Sequence, residues 1–529
     1  MKQPGKPDAV IIGGGHNGLV CAFQLARAGL RVTVLERRGV VGGAAVTEEF
    51  HPGFRNSTAS YTVSLLSPQV IDEMGLAAHG LRMVERPLAN FLPFADGYLE
   101  MGGGLERTRE QVAKFSARDA GRLADYYEAL DGVADVLRDL AGQTPPNVGG
   151  GLPSLVAAAR QGGKLAKLSL ERQRDILDLF TKSAREFLDG WFESDAVKAV
   201  LGFDAVVGSY ASPDTPGSAY VLLHHVWGSV NGNKGAWGHA IGGMGAITTA
   251  MRKACEQVGV TIHTDAAVAR VLVEKGAAVG VVLEDGREFR SKRIIANVGP
   301  KLLYEKLIAP DVLPDDFRRR IANYRIGSGT LRMNVALSEL PRFTVKPQPG
   351  PHLSSGIIIA PSLDYMDRAY VDARRFGMSR LPIVEMVIQS TLDDSLAPPG
   401  QHVASLFCQN FAPGADWDAL REAAADLVID TVNTHAPNFK ASVIARQIHT
   451  PLDLERKFGL IAGDIFHGAL GLDQLWAMRP VLGHGSYRGP LKGLYMCGSG
   501  THPGGGVTGL PGRNAAREIL KDRHWFLGR

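Results

Sequence analysis

Near its start, the chain's apolar pattern changes period twice. Ala9-Val10-Ile11-Ile12 is an unbroken apolar run, as a strand buried on both faces requires. Gly13-Gly14-Gly15-His16-Asn17-Gly18 interrupts it, and residues 19–28 then read as a mostly apolar helix ending at Gly29. Residues 31–35 form a second apolar strand, closed by Glu36. Further on, Gly242-Gly243-Met244-Gly245 precedes an amphipathic helix over 246–258, and residues 260–263 and 267–273 alternate as strands. Residues 279–283 and 288–290 flank Asp285-Gly286, which predicts a type I′ hairpin. Residues 294–296 return as a buried strand that ends in Asn297-Val298-Gly299-Pro300. Residues 106–200 are rich in helical patterns, broken at Pro145-Pro146 and Gly149-Gly150-Gly151, a candidate lid hinge. The last strand, 493–498, runs into a glycine-rich loop and a helix over 512–521, with Arg513 and Arg517 one turn apart.

Composition narrows the function classes. The chain has 529 residues, 45% hydrophobic and 21% charged, the balance of a globular protein of several units. A net charge of +4 without a basic stripe does not point to nucleic acid, and Arg318-Arg319-Arg320 follows Asp315-Asp316 as a solvated helix face would. Cys21, Cys255, Cys408 and Cys497 are scattered, so neither a C-x-x-C dithiol nor a metal site is indicated. The N-terminal residues lack a signal-peptide pattern, and no apolar run is long enough to span a bilayer. A reducing, cytoplasmic setting is expected, with peripheral membrane contact and oligomerisation left open.

The first motif implies dinucleotide chemistry. In G-x-G-x-x-G, Gly13 allows the tight turn, Gly15 lets the backbone approach a pyrophosphate, and Gly18 lets the helix pack closely. The helix N-terminus favours a phosphate. Glu36 is placed to accept both ribose hydroxyls, which fits FAD or NAD better than NADP. The glycine pair Gly42-Gly43 just beyond the acid suits a longer ligand, and this arrangement resembles the FAD enzymes of the glutathione-reductase and amine-oxidase type. Many of those carry an arginine after the glycine pair. Here Ala44 and Ala45 follow, as in carotenoid-desaturase relatives. In the C-terminal loop, residues 498–509, the glycines would let backbone amides approach a flat ligand. A helix start nearby would stabilise negative charge on a reduced flavin.

The loop string GSGTHPGGGVTG, with VIIGGGHNGLVCAFQLARAG and the Gly-Gly-Ala-Ala segment, resembles the phytoene-desaturase-like flavoproteins. More narrowly, the chain is similar to the group named pyridine nucleotide-disulfide oxidoreductase domain-containing protein 2, next to desaturase-type β-carotene ketolases. Trp191-Phe192-Glu193-Ser194, Tyr220 to His225, Gly235-Ala236-Trp237-Gly238 and Ala397-Pro398-Pro399-Gly400 extend that similarity through the chain. The resemblance implies an α/β fold: a discontinuous Rossmann-type FAD-binding domain over 1–100, 240–305 and 484–529. An α+β substrate domain over 101–239 and 306–483, with a helical insert, is interleaved with it. It also implies that the Val268 backbone meets the adenine. The cofactor set expected is Gly13, Gly15, His16, Asn17, Gly18, Glu36, Arg37, Gly42, Gly43, Ala44, Ala45, Val268, Gly498, Gly500, Gly505, Gly506 and Val507.

No second G-x-G-x-x-G follows a strand. Electrons would therefore pass directly between substrate and flavin, and then to oxygen, a quinone or a protein. Candidate acids or bases are His502, inside the glycine loop, and His224 and His225, which would point to opposite faces of a strand and chelate poorly. The bland alternative for the pair is a packed, hydrogen-bonded histidine. Trp227, Trp237, Tyr210 and Tyr220 cluster in that stretch, as core or as a substrate cage. Three functions fit: an FAD-dependent dehydrogenase, desaturase or oxidase of an apolar, polyene or lipid-like small molecule; an amine oxidase; or a non-catalytic protein whose FAD stabilises an interaction scaffold.

Overall fold

The computed structural model describes residues 6–147 and 150–527, apart from the side chains of Pro153, His225 and residues 523–527. A five-stranded sheet forms its cofactor half, in the order Thr261–His263, Val32–Leu35, Ala9–Ile12, Ile294–Ala296, Leu494–Met496. All four pairings are parallel, with Ile11 opposite both Val34 and Ile295. Four of the strands are apolar and buried on both faces because helices cover one side and a small sheet the other. Helices His16–Arg27, Met244–Gln257 and Leu510–Leu527 lie on one face, in a core that includes Leu19, Val20, Ile247 and Ala515. The antiparallel strands Val268–Glu274, Ala277–Leu283 and Glu288–Arg290 cover the other, meeting it at Val271, Val281 and Ile294.

The helix boundaries lie within three residues of those read from the sequence at the N-terminal turn, and the 288–290 and 294–296 strands match. The C-terminal helix is longer, starting at Leu510. The hairpin differs. Gly286 alone takes a positive φ (87°), and its N–H bonds to the Leu283 carbonyl. This is a type I turn closed by a glycine bulge, not the type I′ turn that Asp285-Gly286 suggested, because the loop includes Glu284.

The second half is a seven-stranded mixed sheet in the order Val443–His449, Thr330–Leu337, His402–Phe411, Met378–Val387, Gly356–Ile359, Asn90–Pro93, Tyr98–Met101. Helix Trp417–His435 packs on its outer face. Residues 90–101 therefore belong to this sheet, although the sequence assigned 1–100 to the cofactor domain; an isolated hairpin would leave its edge unpaired. Helices Ala117–Ala141, Gly151–Ala166, Leu170–Thr181 and Asp195–Gly202 form the helical block. The hinge proposed at 145–151 sits between the first two, and part of it, Gly149 included, lies outside the described residues.

Candidate functional site

The tips of the parallel strands open onto a cavity of about 480 Å³. Gly13 (φ 96°) makes the turn after the first strand. Its carbonyl would lie 2.4 Å from a Cβ on Gly18, so Gly18 permits the helix to start directly on the turn. The helix N-cap is Gly15, with no side-chain cap and no acid in the first turn. Its leading N–H groups are left for a ligand, and the dipole favours an anion. Gly42 donates to the Gly14 carbonyl at 2.9 Å, which sets the second glycine turn against the first. A Cβ on Gly43 would be 3.3 Å from the Gly15 Cα, so two bare backbones face each other there.

Glu36 is 6% exposed at the tip of its strand. One carboxylate oxygen accepts from the Gly14 N–H at 2.8 Å and the other from the Arg38 N–H at 2.9 Å. It thus orients the glycine turn and keeps lone pairs for hydroxyl donors. Ala267, Val268 and Glu284 line the cavity beyond it. Arg37 lines the same end, and its guanidinium donates to the Lys457 carbonyl at 2.7 Å.

Several buried polar atoms here lack a partner: His16 Nε2, Asn17 Oδ1, Arg38 Nη1 and His467 Nδ1. Burial holds His16 and His467 down at about 4, so both are neutral donor–acceptors near pH 7. Orphaned polar atoms beside two glycine turns and an uncapped helix are what a polar dinucleotide would satisfy. The residues present therefore fit FAD. Gly13, Gly15, His16, Asn17, Glu36, Arg37, Gly42, Gly43, Ala44, Ala45, Val268, Gly506 and Val507 line this one cavity.

The other expected residues lie elsewhere. Gly498 packs on Asn297 and Gly500 on Pro300, where a Cβ would come within 2.4 Å of a ring carbon. Gly505 makes room for Phe466, whose ring atom would be 2.2 Å from its Cβ. These glycines shape the wall and do not line the cavity. His502 is also displaced from it and, with Gly505, lines a smaller neighbouring chamber. Its Nε2 lies 3.2 Å from the Leu140 carbonyl, its ring stands edge-on to Trp476, and burial pushes its pKa down to about 3. His224 lines the cavity, but from the short helix His224–Trp227 and not from a strand. The preceding 3₁₀ turn, Ser218–Leu223, continues into it, so the strand geometry expected for the pair does not hold. The His225 side chain lies outside the described residues. Trp237 lines the cavity, Tyr220 and Trp227 a neighbouring chamber, and Tyr210 packs on Tyr370, so the four aromatic residues do not form one cage.

Residues to which the sequence assigned no part in the site also shape it. Asn297 donates to the Gly13 carbonyl at 3.2 Å and fills the space that Gly15 and Gly18 leave. Arg479 is fully buried, and its guanidinium donates to the carbonyls of Phe466, Gly468, Ala469, Gln474 and Ser499. It ties the loop carrying Phe466 to the start of the glycine loop. Cys21 and Cys497, remote in sequence, interact in the core. Both are free and fully buried, so they cannot meet a disulfide substrate. Among the described residues no cluster of three or more His, Cys, Asp or Glu could hold a metal ion, and no helix is long and apolar enough to cross a membrane.

An uncapped helix on a glycine turn, a strand-end acid and a second glycine turn define a dinucleotide-binding flavoprotein. Residues 18–520 match the model of the flavin containing amine oxidoreductases, and the chain belongs to that family. It is an FAD-dependent oxidoreductase. A rat protein, pyridine nucleotide-disulfide oxidoreductase domain-containing protein 2, is 40% identical over 97% of this chain and 93% of its own length. A limonene dehydrogenase component from Castellaniella defragrans is 27% identical over 99% of this chain and 96% of that protein. Among solved structures, an oxidoreductase from Methanosarcina mazei superposes with a TM-score of 0.63 at 16% identity, covering 97% of this chain and 99% of that one.

Proposed function

We propose that the protein is a dehydrogenase or desaturase-type flavoenzyme that takes hydride from an apolar, lipid-like substrate. The observation that carries this reading is a second chamber, about 130 Å³, against the cofactor cavity. Its lining is largely apolar: Leu137, Leu140, Phe180, Val221, Leu223, Trp227 and Leu475 among others. Leu65, His224 and Phe466 line both spaces and form the partition between them. Bound FAD would supply the hydride acceptor, N5 of its ring. The chain's own part is to hold an apolar group at the partition and exclude water from it. His224, whose pKa burial lowers, would stand there as a neutral donor–acceptor.

Peripheral membrane contact completes this reading. Helix Gly151–Ala166 exposes Leu152, Leu155 and Val156 at 77, 65 and 60%; it carries Arg160 and Lys164 and no acid of its own, with Lys164 paired to Asp139 of a neighbouring helix at 2.8 Å. A basic, apolar helix of this kind suits the interface of an anionic bilayer, from which an apolar substrate would enter. The Castellaniella relative carries the name of a limonene dehydrogenase, which is compatible with an apolar substrate. An amine oxidase would need aromatic rings free to flank an amine. Tyr61 and Phe407 instead stack on each other at 5.4 Å, beneath Arg332.

Anaerobic mixing of the FAD-loaded protein with terpenes, polyenes, acyl lipids and amines tests the proposal. Bleaching of the flavin by an apolar compound is expected. Bleaching by amines alone would overturn it. Reoxidation by oxygen, a quinone or an electron-carrier protein then identifies the acceptor, and NADH or NADPH should reduce the flavin slowly or not at all.

A further inference from the structure

The inner end of the cofactor cavity is charged. Arg332, Phe407 and Glu385 stand directly opposite one another on three neighbouring strands of the seven-stranded sheet, so their side chains share one face. Leu331, Met333 and Leu406 alternate with them and fill the core on the other face. Arg332 is 1% exposed; its Nε donates to the Ala59 carbonyl at 2.8 Å, and its guanidinium carbon lies 4.2 Å from the centre of the Tyr61 ring. The Tyr61 hydroxyl donates to Glu385. Arg86 reaches the same end of the cavity and donates to the Thr62 hydroxyl at 2.6 Å. Its Nε is shielded from solvent and has no partner, as is Nη1 of Arg332.

Two acids, Glu385 and Asp204, line the cavity near these groups. Glu385 interacts electrostatically with both guanidiniums and with Asp204 but forms an ion pair with neither guanidinium, and burial raises its pKa. Arg86 is thus left without an ion pair to Glu385, with its Nε unpartnered. Arg479 also lacks an acid, but five carbonyls surround it; Arg86 has a single hydroxyl. A largely shielded guanidinium without a paired acid is costly, and an anion from outside would remove that cost. The wall is also shaped to leave these groups free. A Cβ on Gly356 would fall 2.6 Å from Glu385 Oε1 and 3.2 Å from Asn90 Nδ2.

We propose that the substrate is an amphiphile: its carboxylate binds Arg86 at the inner end of the cavity, and its apolar chain reaches into the chamber beyond Phe466. This deepens the reading of an apolar substrate and rests on it. Arg86 supplies the counter-charge, and Asn90, which lines the same cavity near Glu385, offers a further hydrogen-bond donor. The substrate class is then an apolar carboxylic acid, not a bare hydrocarbon.

The test is an equilibrium titration of the full-length, FAD-loaded protein with decanoate and with decan-1-ol, read by perturbation of the flavin band and by calorimetry. Decanoate should bind more tightly than the alcohol. Arg86→Gln should weaken decanoate by roughly tenfold to a hundredfold, the loss expected for a hydrogen bond to a charged group. It should leave the alcohol within about twofold, a difference too small to represent a lost bond. Arg86→Lys, which keeps the charge, should recover part of the affinity. Equal binding of acid and alcohol to the native protein, or native decanoate affinity in a flavin-loaded Arg86→Gln protein, overturns the proposal. If Arg86→Gln does not retain flavin, the comparison of the two probes on the native protein decides alone. Neither probe needs to react. Selective decanoate binding without bleaching by any apolar compound would sink the dehydrogenase reading and leave the carboxylate site standing.

Discussion

Replacing Arg479 by methionine removes a buried cation while nearly preserving its volume. Five carbonyls, those of Phe466, Gly468, Ala469, Gln474 and Ser499, then lose their donor. A hydrogen bond to a charged group contributes about 1.5–3 kcal/mol, but bonds sharing one guanidinium are not additive, and some carbonyls will recruit water. A loss of about 4 kcal/mol follows, a large part of the ~5–15 kcal/mol that usually separates native from unfolded protein. The damage should be local first, because those carbonyls lie on the segment that carries Phe466 and on Ser499, whose hydroxyl accepts from Asn17 at 3.3 Å. Flavin content after gel filtration should drop, and the thermal midpoint should fall by several degrees. Arg479→Lys should be intermediate, since an ammonium cannot reproduce the planar fork. A methionine variant with native flavin content and an unshifted midpoint would refute the assignment of Arg479 as the tie between the two loops.

Three further outcomes follow. Glu36→Ala should yield mainly apoprotein, because the Gly14 and Arg38 N–H groups lose their acceptor together with the ribose hydroxyls; full flavin retention on gel filtration would remove that role. Gly505→Val should shift the flavin band or lower flavin content by driving Phe466 from its place, with circular dichroism little changed; an unaltered spectrum at full occupancy would mean that Phe466 does not transmit the strain. Acid should destabilise the protein early. Burial holds His352 and His449 at about 4 and His502 at about 3, below the ordinary 6.5, so the unfolded chain takes up protons first as pH falls. Their contribution is complete above 6.5 and is lost towards 4, at up to roughly 4 kcal/mol per pH unit for three groups; thermal midpoints that stay flat between pH 7 and 5 would contradict it.

The cofactor half was legible in the sequence because its signals are local. Gly13 to Glu36 is one strand, one turn, one helix and one strand tip, and each residue's role depends on neighbours within that span. The inner end of the cavity was not legible. Arg332 and Glu385 look like stray charges in apolar strands until the strand register brings them to one face with Phe407 between them. A signal was present: in Thr330-Leu331-Arg332-Met333-Asn334 polar residues alternate with apolar ones, and such a strand buried on both faces must satisfy its polar side internally. Two residues expected at the flavin lie at the second chamber instead, for the same reason in reverse. Gly505 and His502 sit in a loop whose composition suits ligand contact, yet their environments are set by Phe466, Leu140 and Trp476, which no local pattern connects to them. His224-His225 read as strand in the sequence, and the 3₁₀ turn before them carries the chain into a short helix instead.

The parallel sheet is assembled from stretches near residues 10, 34, 262, 295 and 495. On the ribosome, the first two strands must wait for residues near 262 and 295 before their outer neighbours emerge, and the 294–296 strand must wait for residue 496 before its own does. Contacts of such long sequence separation slow folding and leave apolar strand edges uncovered meanwhile. The glycine turn, Glu36 and the glycine-rich loop become one site only once residue 507 has emerged. Flavin capture would then report that the sheet is whole: a chain cut short before residue 496 is expected to stay colourless and to leave the 294–296 strand edge open to the cell's quality control.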